Sequence, residues 1–380
     1  MSSYFDYNAS TPVDERVLER MIHVYRYEYG NADSRTHLYG ESARRAVETA
    51  REETAELLGI SKEEVFFTSG ATESNNMVLL GLQPYGEESG KKHIITTAVE
   101  HKSVLEAAAE LERRGFEVTY LKPDEKGRIS LSHVQEALRE DTLLVSIAHA
   151  NNETGVIQPV EEIGEELKDR GILFHMDVTQ TCGKLVEELR RCTYDFLSFS
   201  AHKLYGPQGI GALVMRKTDY QYPPLKPILF GGGQERGMRP GTVPAALAAG
   251  LGEACRICAE EWRHYRDEEI RIRAEILDAL ESSGLRYEIN GDQENTMKNT
   301  LNISFAGVNS EALMIAARSC CGISNGSACT SKDYSESYVL KAMGLPAERI
   351  RSAVRLSWGR GTDSIEDFRE LLNIVKQFQL

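Results

Sequence analysis

A lysine, an aspartate and a run of small polar residues in this chain have the types and settings, respectively, of an imine-forming amine, a partner for a protonated ring nitrogen and a helix-start anion site. In Asp195-Phe196-Leu197-Ser198-Phe199-Ser200-Ala201-His202-Lys203-Leu204-Tyr205-Gly206-Pro207, an apolar strand-like stretch ends in small and basic residues before a Gly-Pro turn. A lysine in such a crowded polar turn can have its pKa lowered and act as an imine-forming amine; a surface lysine is the plainer reading. In Phe174-His175-Met176-Asp177-Val178-Thr179-Gln180, an aspartate closes an apolar strand. Burying it is costly without a partner. A protonated heterocyclic nitrogen would be one, and an ordinary loop cap is the alternative. Asp177 and Lys203 lie 26 residues apart and both read as strand ends, which sets their strands close together and lets both side chains reach one pocket. In Thr68-Ser69-Gly70-Ala71-Thr72-Glu73-Ser74-Asn75-Asn76, a strand runs through small residues into a helix. Free N–H groups at a helix start bind anions, and Gly and Ala admit a phosphate closely. An N-cap by Thr72 or Ser69 would look the same.

These residues are carried by alternating elements. Val65–Ser69, His93–Ala98, Phe116–Leu121, Leu143–Ala148, Ile172–Asp177, Phe196–Ser200 and Gly211–Val214 read as strands. Ala71–Leu82, His101–Arg114, Leu131–Arg139 and Val160–Arg170 read as helices between them. Such alternation predicts an α/β layer with a mostly parallel sheet, whose ligands sit beyond the carboxyl ends of the strands. A long polar helix from about Gly250 to Leu280 follows. Strands Thr300–Phe305 and Ala353–Ser357 then mix with helices Ser310–Ala317 and Ser364–Phe378, as in a smaller α+β domain. The expected division is a large domain over residues 15–255 and a small one made of 1–14 and 256–380.

The chain has 380 residues, 41% hydrophobic and 27% charged, with 44 basic against 58 acidic residues and a net charge of −14. That composition forms a core rather than a disordered chain, and it disfavours direct, sequence-independent binding of nucleic acid. An acidic surface could still dock a basic partner. No apolar run approaches the ~18 residues of a membrane span. Met1 to Asp6 lacks a basic segment followed by an apolar one, so no signal peptide is expected. The seven cysteines, an odd number, predict reduced thiols in the cytoplasm. Cys255-Arg-Ile-Cys258 has the C-x-x-C spacing but no second pair or nearby histidine, and reads as two thiols on a helix.

Over nearly its whole length the chain resembles the aminotransferase class V family of pyridoxal-phosphate enzymes, and more closely the cysteine desulfurases of the NifS/IscS type. The resemblance is carried by ordered blocks. They are Phe5-Asp6-Tyr7-Asn8-Ala9-Ser10-Thr11-Pro12, Gly30-Asn31-Ala32-Asp33-Ser34-Arg35-Thr36-His37, Gly70–Asn75, Val99-Glu100-His101-Lys102, His149-Ala150-Asn151-Asn152-Glu153-Thr154-Gly155, the Lys203 segment, Gly231 to Thr242, Gly326-Ser327-Ala328-Cys329-Thr330-Ser331 and Val354-Arg355-Leu356-Ser357. The resemblance implies the fold type I transferase architecture with a seven-stranded sheet. It implies pyridoxal 5'-phosphate, with Lys203 as the Schiff-base lysine and Asp177 paired with the pyridine nitrogen. Gln180 is expected on the ring's phenolic oxygen. Ala71, Thr72, Ser200 and His202 are expected at the phosphate, with Asn152 also near the cofactor. Thr242 is expected to reach the cofactor phosphate of a partner subunit, which implies a homodimer. His101 is expected to stack on the ring and move protons, an imidazole being suited to this near neutrality. Asn152 and Arg355 are expected to clamp the substrate carboxylate, for which Arg offers two parallel hydrogen bonds.

The resemblance makes Cys329 decide the reaction. Its thiolate would attack the sulfur of L-cysteine, leaving alanine and a persulfide on Cys329 that passes to an acceptor protein. Acceptor pathways in keeping with the family are iron–sulfur cluster assembly, tRNA thiolation and DNA phosphorothioation, the last through a partner that itself contacts DNA. Cys329 is also a candidate cluster ligand shared with a partner; no other metal ligand is expected. Two departures stand out: Asn325 where the family often has Ser, and Pro240 where Ser or Ala is common. The sequence ends at Leu380, directly after its last expected helix, whereas longer members carry a tail that docks an iron–sulfur scaffold. Selenocysteine lyase, class V aminotransferase and a non-catalytic sulfur-relay scaffold are the competing functions.

Overall fold

The computed structural model describes residues 3–325 and 336–379. A short strand β1 (Ser3–Tyr4) leads to helices α1 (Glu15–Tyr27) and α2 (Leu38–Leu58). Alternation follows: β2 (Val65–Thr68), α3 (Ala71–Gly81), α4 (Gln83–Ser89), β3 (His93–Thr97), α5 (Lys102–Arg113), β4 (Glu117–Leu121), α6 (Leu131–Ala137), β5 (Thr142–Ala148), α7 (Val160–Lys168), β6 (Leu173–Asp177), α8 (Val186–Arg191), β7 (Phe196–Ser200) and β8 (Gly211–Met215). Strands β2 to β8 form one seven-stranded sheet in the order β2-β8-β7-β6-β5-β3-β4. Only β8 runs antiparallel to its neighbours. The mostly parallel sheet expected from the alternation is therefore present.

Both faces of this sheet are covered, as a parallel sheet requires. Phe67, Ile95, Val145, Phe174, Met176, Leu197 and Phe199 pack on one side with residues of α2, α7 and α9. Phe66, Ile94, Leu144, Phe196 and Leu213 alternate with them and pack on the other side with α3 and α5. Polar residues inside the sheet are paired across strands. His175 on β6 lies between Ser146 of β5 (Nδ1 to Oγ, 2.8 Å) and Ser198 of β7 (Nε2 to Oγ, 2.9 Å). Burial holds its pKa down to about 4, so this ladder is neutral at ordinary pH.

The long helix α9 (Ala245–Ser282) starts five residues earlier than its apolar pattern suggested, because the four alanines around Leu247 in its first turns give little contrast between faces. It joins the two cores. Ala248, Leu251, Ala254, Cys255, Ile257, Cys258 and Trp262 belong to the core of the large sheet. Ile272, Ile276 and Leu280 belong to a second core with Phe5, Leu301, Phe305, Leu356 and Trp358. That second core is built on β9 (Tyr287–Asn290), β10 (Thr300–Phe305), α10 (Ser310–Ala317), β11 (Cys321–Gly322), α11 (Tyr338–Ala342), α12 (Ala347–Arg351), β12 (Ala353–Ser357) and α13 (Glu366–Phe378). Strands β12-β10-β9 form an antiparallel sheet, and β1 pairs in parallel with β11. Among the described residues no helix is long and apolar enough to cross a membrane. The six described cysteines are free thiols, and Cys255 and Cys258 are both buried on α9.

The sheet brings its loops to one edge. Ala148, Asp177 and Ser198 stand in register on β5, β6 and β7. Thr68 and Ser200 flank Gly211 of β8 on its two sides. A methyl group on Gly211 would meet Phe199 O at 2.3 Å and Gly70 Cα at 2.7 Å. Gly211→Ala is thus expected to force the β2 and β7 ends apart and destabilise the fold by about 1–3 kcal/mol. A denaturant midpoint equal to that of the wild type would contradict this packing.

Candidate active site

A cavity of about 380 Å³ opens at the carboxyl edge of the large sheet, where β2, β3, β5, β6 and β7 all end. It is lined by Ala71, Thr72, His101, Asn152, Asp177, Gln180, Ser200, His202, Lys203 and Arg355. Residues expected from segments up to nearly three hundred positions apart thus share one pocket. Thr242 does not line it; it is exposed, just before α9. Cys329 lies outside the described residues.

Asp177 is the last residue of β6 and is 6% exposed. Its Oδ2 accepts from Asn75 Nδ2 at 2.8 Å and its Oδ1 from Thr179 N at 2.9 Å. A carboxylate has about four acceptor positions, so capacity is left toward the cavity. Lys203 does not terminate a strand as expected. β7 stops at Ser200, and Lys203 is the third residue of a single 3₁₀ turn, Ala201–Lys203. That turn swings the side chain over the N-terminal segment, where Nζ donates to Ala9 O at 2.7 Å and to Asn8 O.

The cap of α3 is Gly70, not Thr72 or Ser69. Its φ of +149° suits glycine alone, and a methyl there would crowd Ser200 Oγ at 3.1 Å. The first-turn N–H groups of α3 have no acceptor within the helix. One of them, Ala71 N, donates to Ser200 Oγ at 2.7 Å. His202 stands beside this cradle. Burial, aided by the Lys203 charge, lowers its pKa to about 4, so it is a neutral imidazole. Its Nδ1 is 3.3 Å from Ser10 Oγ.

On the other wall, His101 caps α5, and its Nδ1 accepts from Ser103 N at 3.1 Å. Gln180 Nε2 donates to Asn8 O at 3.2 Å. Arg355 enters from β12 of the second core. Its Nη2 pairs with Asp6 Oδ1 at 2.6 Å and its Nη1 donates to Asn152 O at 3.0 Å. The Asn152 carbonyl, rather than its side chain, thereby positions the guanidinium. The described flanks of residues 326–335 are each bonded to a lining residue or its neighbour, Arg355 on one side and Glu153, next to Asn152, on the other. Ser324 exchanges two backbone hydrogen bonds with Arg355, and Ser337 Oγ donates to the Glu153 carboxylate at 2.5 Å.

Several buried polar atoms here have no partner among the described residues: Thr179 Oγ1, Gln180 Oε1 and Arg355 Nε. Such atoms are rare in native interiors and call for an unseen partner. Together with a buried carboxylate, a lysine and a helix-start anion cradle, they fit a polar, phosphorylated, nitrogen-containing ring. Residue-type reasoning left Asn8, Asp6, Asn75, Ser103, Thr179 and Glu153 without roles. Asn75 and Ser103 sat in or beside motif blocks, but no signal in sequence tells that their side chains meet.

A mostly parallel seven-stranded sheet with an aspartate ending β6 and a lysine in the turn after the adjacent β7 is the architecture of a cofactor-binding transferase. The chain belongs to the aminotransferase class V family, whose model matches residues 3–366, and is accordingly a pyridoxal-phosphate enzyme. It is 45% identical over 365 residues to the cysteine desulfurase IscS of Vibrio campbellii, covering 96% of this chain and 89% of that one. Its structure superposes on a NifS-like protein with a TM-score of 0.89 at 37% identity, over 100% of this chain and 99% of that one. It superposes on SspA in complex with cysteine with a TM-score of 0.81 at 38% identity, over 94% of this chain and 98% of that one.

Next to His101, Glu100 is buried and accepts from Thr97 Oγ1 at 2.7 Å and Ala148 N at 2.8 Å. Burial raises its pKa from an ordinary 4.5 to about 8. The folded protein then keeps a proton that the unfolded chain gives up above about pH 4.5. The stability this contributes is full below that pH and is lost as pH rises toward 8. Glu100→Gln is expected to flatten the decline in unfolding free energy between about pH 5 and 8 relative to wild type. Parallel pH–stability curves for the two proteins would contradict the assignment.

Proposed function

We infer that this chain is a pyridoxal-phosphate-dependent cysteine desulfurase that removes sulfur from L-cysteine, releases L-alanine and carries the sulfur as a persulfide on Cys329. The observation that carries the reading is the shared pocket of Lys203, Asp177, the α3 start and Arg355. The likeness to proteins named cysteine desulfurase supports the sulfur chemistry. The large domain 15–255 would hold the cofactor, and residues 1–14 with 256–380 would supply the substrate arginine and the thiol.

When bound, pyridoxal phosphate supplies an electron sink for the charge left when a substrate Cα loses its proton. The chain's residues divide the remaining work. Ala71, Thr72, Ser200 and His202 would hold the phosphate, and Asp177 would accept from a protonated ring nitrogen. Gln180 would donate to the phenolic oxygen, a role supported by its place at the cavity beside Asn8. Lys203 presents the amine that attaches the cofactor. His101 moves a proton through the ring nitrogen that Ser103 does not occupy. Arg355, already aligned by Asp6 and Asn152, would take the substrate carboxylate. Cys329 attacks as a thiolate: its sulfur gains the substrate sulfur, the substrate Cβ–S bond breaks, and the Cα and Cβ fragment leaves as alanine after protonation. No external oxidant is needed, since cysteine plus thiol equals alanine plus persulfide.

The sulfur acceptor is a protein, in iron–sulfur, tRNA-thiolation or DNA-phosphorothioation chemistry, and Cys329 could serve there as a cluster ligand with that partner. A homodimer is part of the reading, with Thr242 reaching the cofactor phosphate of the second copy. Exposed Leu38 (78%), Tyr39 and Tyr29 beside the Arg35 segment, and Phe230 (89%) before the glycine loop, support a covered surface there. Six unpaired thiols support a cytoplasmic location.

Two variants test the reading. Lys203→Ala is expected to lose the cofactor absorption band and alanine release together. Cys329→Ala is expected to keep the band and lose release of alanine and sulfur from L-cysteine. Turnover that survives Cys329→Ala would instead identify a selenocysteine lyase or aminotransferase. A wild-type protein without a Lys203-dependent band would leave only a scaffold. Arg355→Lys is expected to raise KM for L-cysteine about tenfold or more, because a point charge cannot reproduce the two-pronged contact; an unchanged KM would remove Arg355 from the substrate site.

A further inference from the structure

Asn75 is fully buried in α3, and its amide nitrogen makes two contacts: Asp177 Oδ2 at 2.8 Å and Ser103 Oγ at 2.9 Å. An ionised carboxylate only accepts. The nitrogen must therefore face Asp177, and this fixes the amide, leaving Asn75 Oδ1 buried without a partner. An orphaned buried carbonyl is a cost, and the structure retains it at the one place where the nitrogen end joins two pocket elements.

Ser103 continues the line. Its Oγ is 2.8 Å from His101 Nδ1, and its backbone N is 3.1 Å from the same nitrogen. A backbone N–H only donates, so Nδ1 is an acceptor. Because Asn75 donates to Ser103 Oγ, the hydroxyl hydrogen is free to point at Nδ1 as well. The hydroxyl oxygen keeps a second lone pair, so what excludes a protonated Nδ1 is the Ser103 backbone N–H, which can only donate to it; the hydroxyl adds a second donor to the same nitrogen. A neutral imidazole with Nδ1 unprotonated carries its proton on Nε2.

Resting on the desulfurase reading, in which His101 moves a proton, we propose that Asn75 and Ser103 are positioning residues. They join the Asp177 carboxylate to His101 and hold its ring in the Nε2-protonated form, with Nε2 left for the cavity. The group that charges the cofactor site and the group that moves the proton are thereby set by one buried amide. A change on the Asp177 side is felt at His101 through three hydrogen bonds, Asp177–Asn75, Asn75–Ser103 and Ser103–His101.

The test is ¹⁵N NMR of protein labelled at histidine, holding cofactor but no substrate, with the His101 signals identified by their loss in His101→Gln. Wild type and Ser103→Thr are expected to show the Nε2-protonated ring alone. Ser103→Ala, which keeps the Asn75–Asp177 contact and so the cofactor band, is expected to show a second, Nδ1-protonated population. Its kcat for alanine release is expected to fall between about tenfold and about a hundredfold, with KM within about twofold. Asn75→Ala, which leaves the Ser103 hydroxyl freer to turn away from Nδ1, is expected to show a smaller Nδ1-protonated population than Ser103→Ala. A single Nε2-protonated ring in Ser103→Ala with wild-type kcat would overturn the proposal, as would an Nδ1-protonated ring in the wild type or a defect that Ser103→Thr fails to restore. The ring measurement needs no turnover. If wild type releases no alanine from L-cysteine, the desulfurase reading falls while the NMR result still decides the positioning role.

Discussion

Asp177 ends a strand that is buried on both faces, and a charge in that setting has to be matched or its site abandoned. The chain matches it only in part, with one amide from α3 and one backbone N–H from the turn that follows. The remaining acceptor capacity points into the cavity. This is the demand that a cationic ring nitrogen would satisfy, and much of the surrounding structure serves it. Asp177 is placed by the register of β5, β6 and β7. Asn75 is placed by the glycine start of α3. Lys203 is turned toward the same space by one 3₁₀ turn after β7.

The second core contributes by reaching in at two points. Arg355 on β12 is buried and held by Asp6 and the Asn152 carbonyl, so its orientation costs the substrate little to exploit. Ser324 pairs with the pocket-lining Arg355, and Ser337 with Glu153, the neighbour of the lining Asn152. Glu153 is itself buried, and burial raises its pKa, which favours a hydrogen bond from Ser337 over an ion pair at this seam. The interface between the cores is therefore part of the site rather than a passive seam.

The alternating pattern in the sequence carried the architecture well, because each strand of the large sheet is a short apolar run bounded by small or polar residues. It was weaker where helices bury small side chains. α2 packs through Ala43, Ala46, Ala50 and Ala55 and gives little amphipathic contrast, so it went unread; in the structure Gly252 of α9 sits against Ala50. The site residues Lys203, Asp177, Gln180 and Arg355 were legible because motif blocks preserve their order. The Asn75–Ser103–His101 line was not, since hydrogen bonds between residues 28 positions apart depend on how α3 packs on α5. The strand Phe196–Ser200 reads with its observed bounds, but Lys203 reads as its end, because the polar residues after Ser200 give no sign of the 3₁₀ turn that carries it.

The central claim is that sulfur leaves L-cysteine in the Lys203 pocket and arrives on Cys329. Peptide mass spectrometry of the purified, cofactor-loaded protein after a brief incubation with L-cysteine measures this directly. The account predicts the added mass of one sulfur atom on the Gly326–Ser331 peptide, at Cys329, removable by reductant and absent without substrate. Sulfur found on Cys182, Cys192, Cys255, Cys258, Cys320 or Cys321 instead, or alanine formed with no sulfur on the protein, would contradict it.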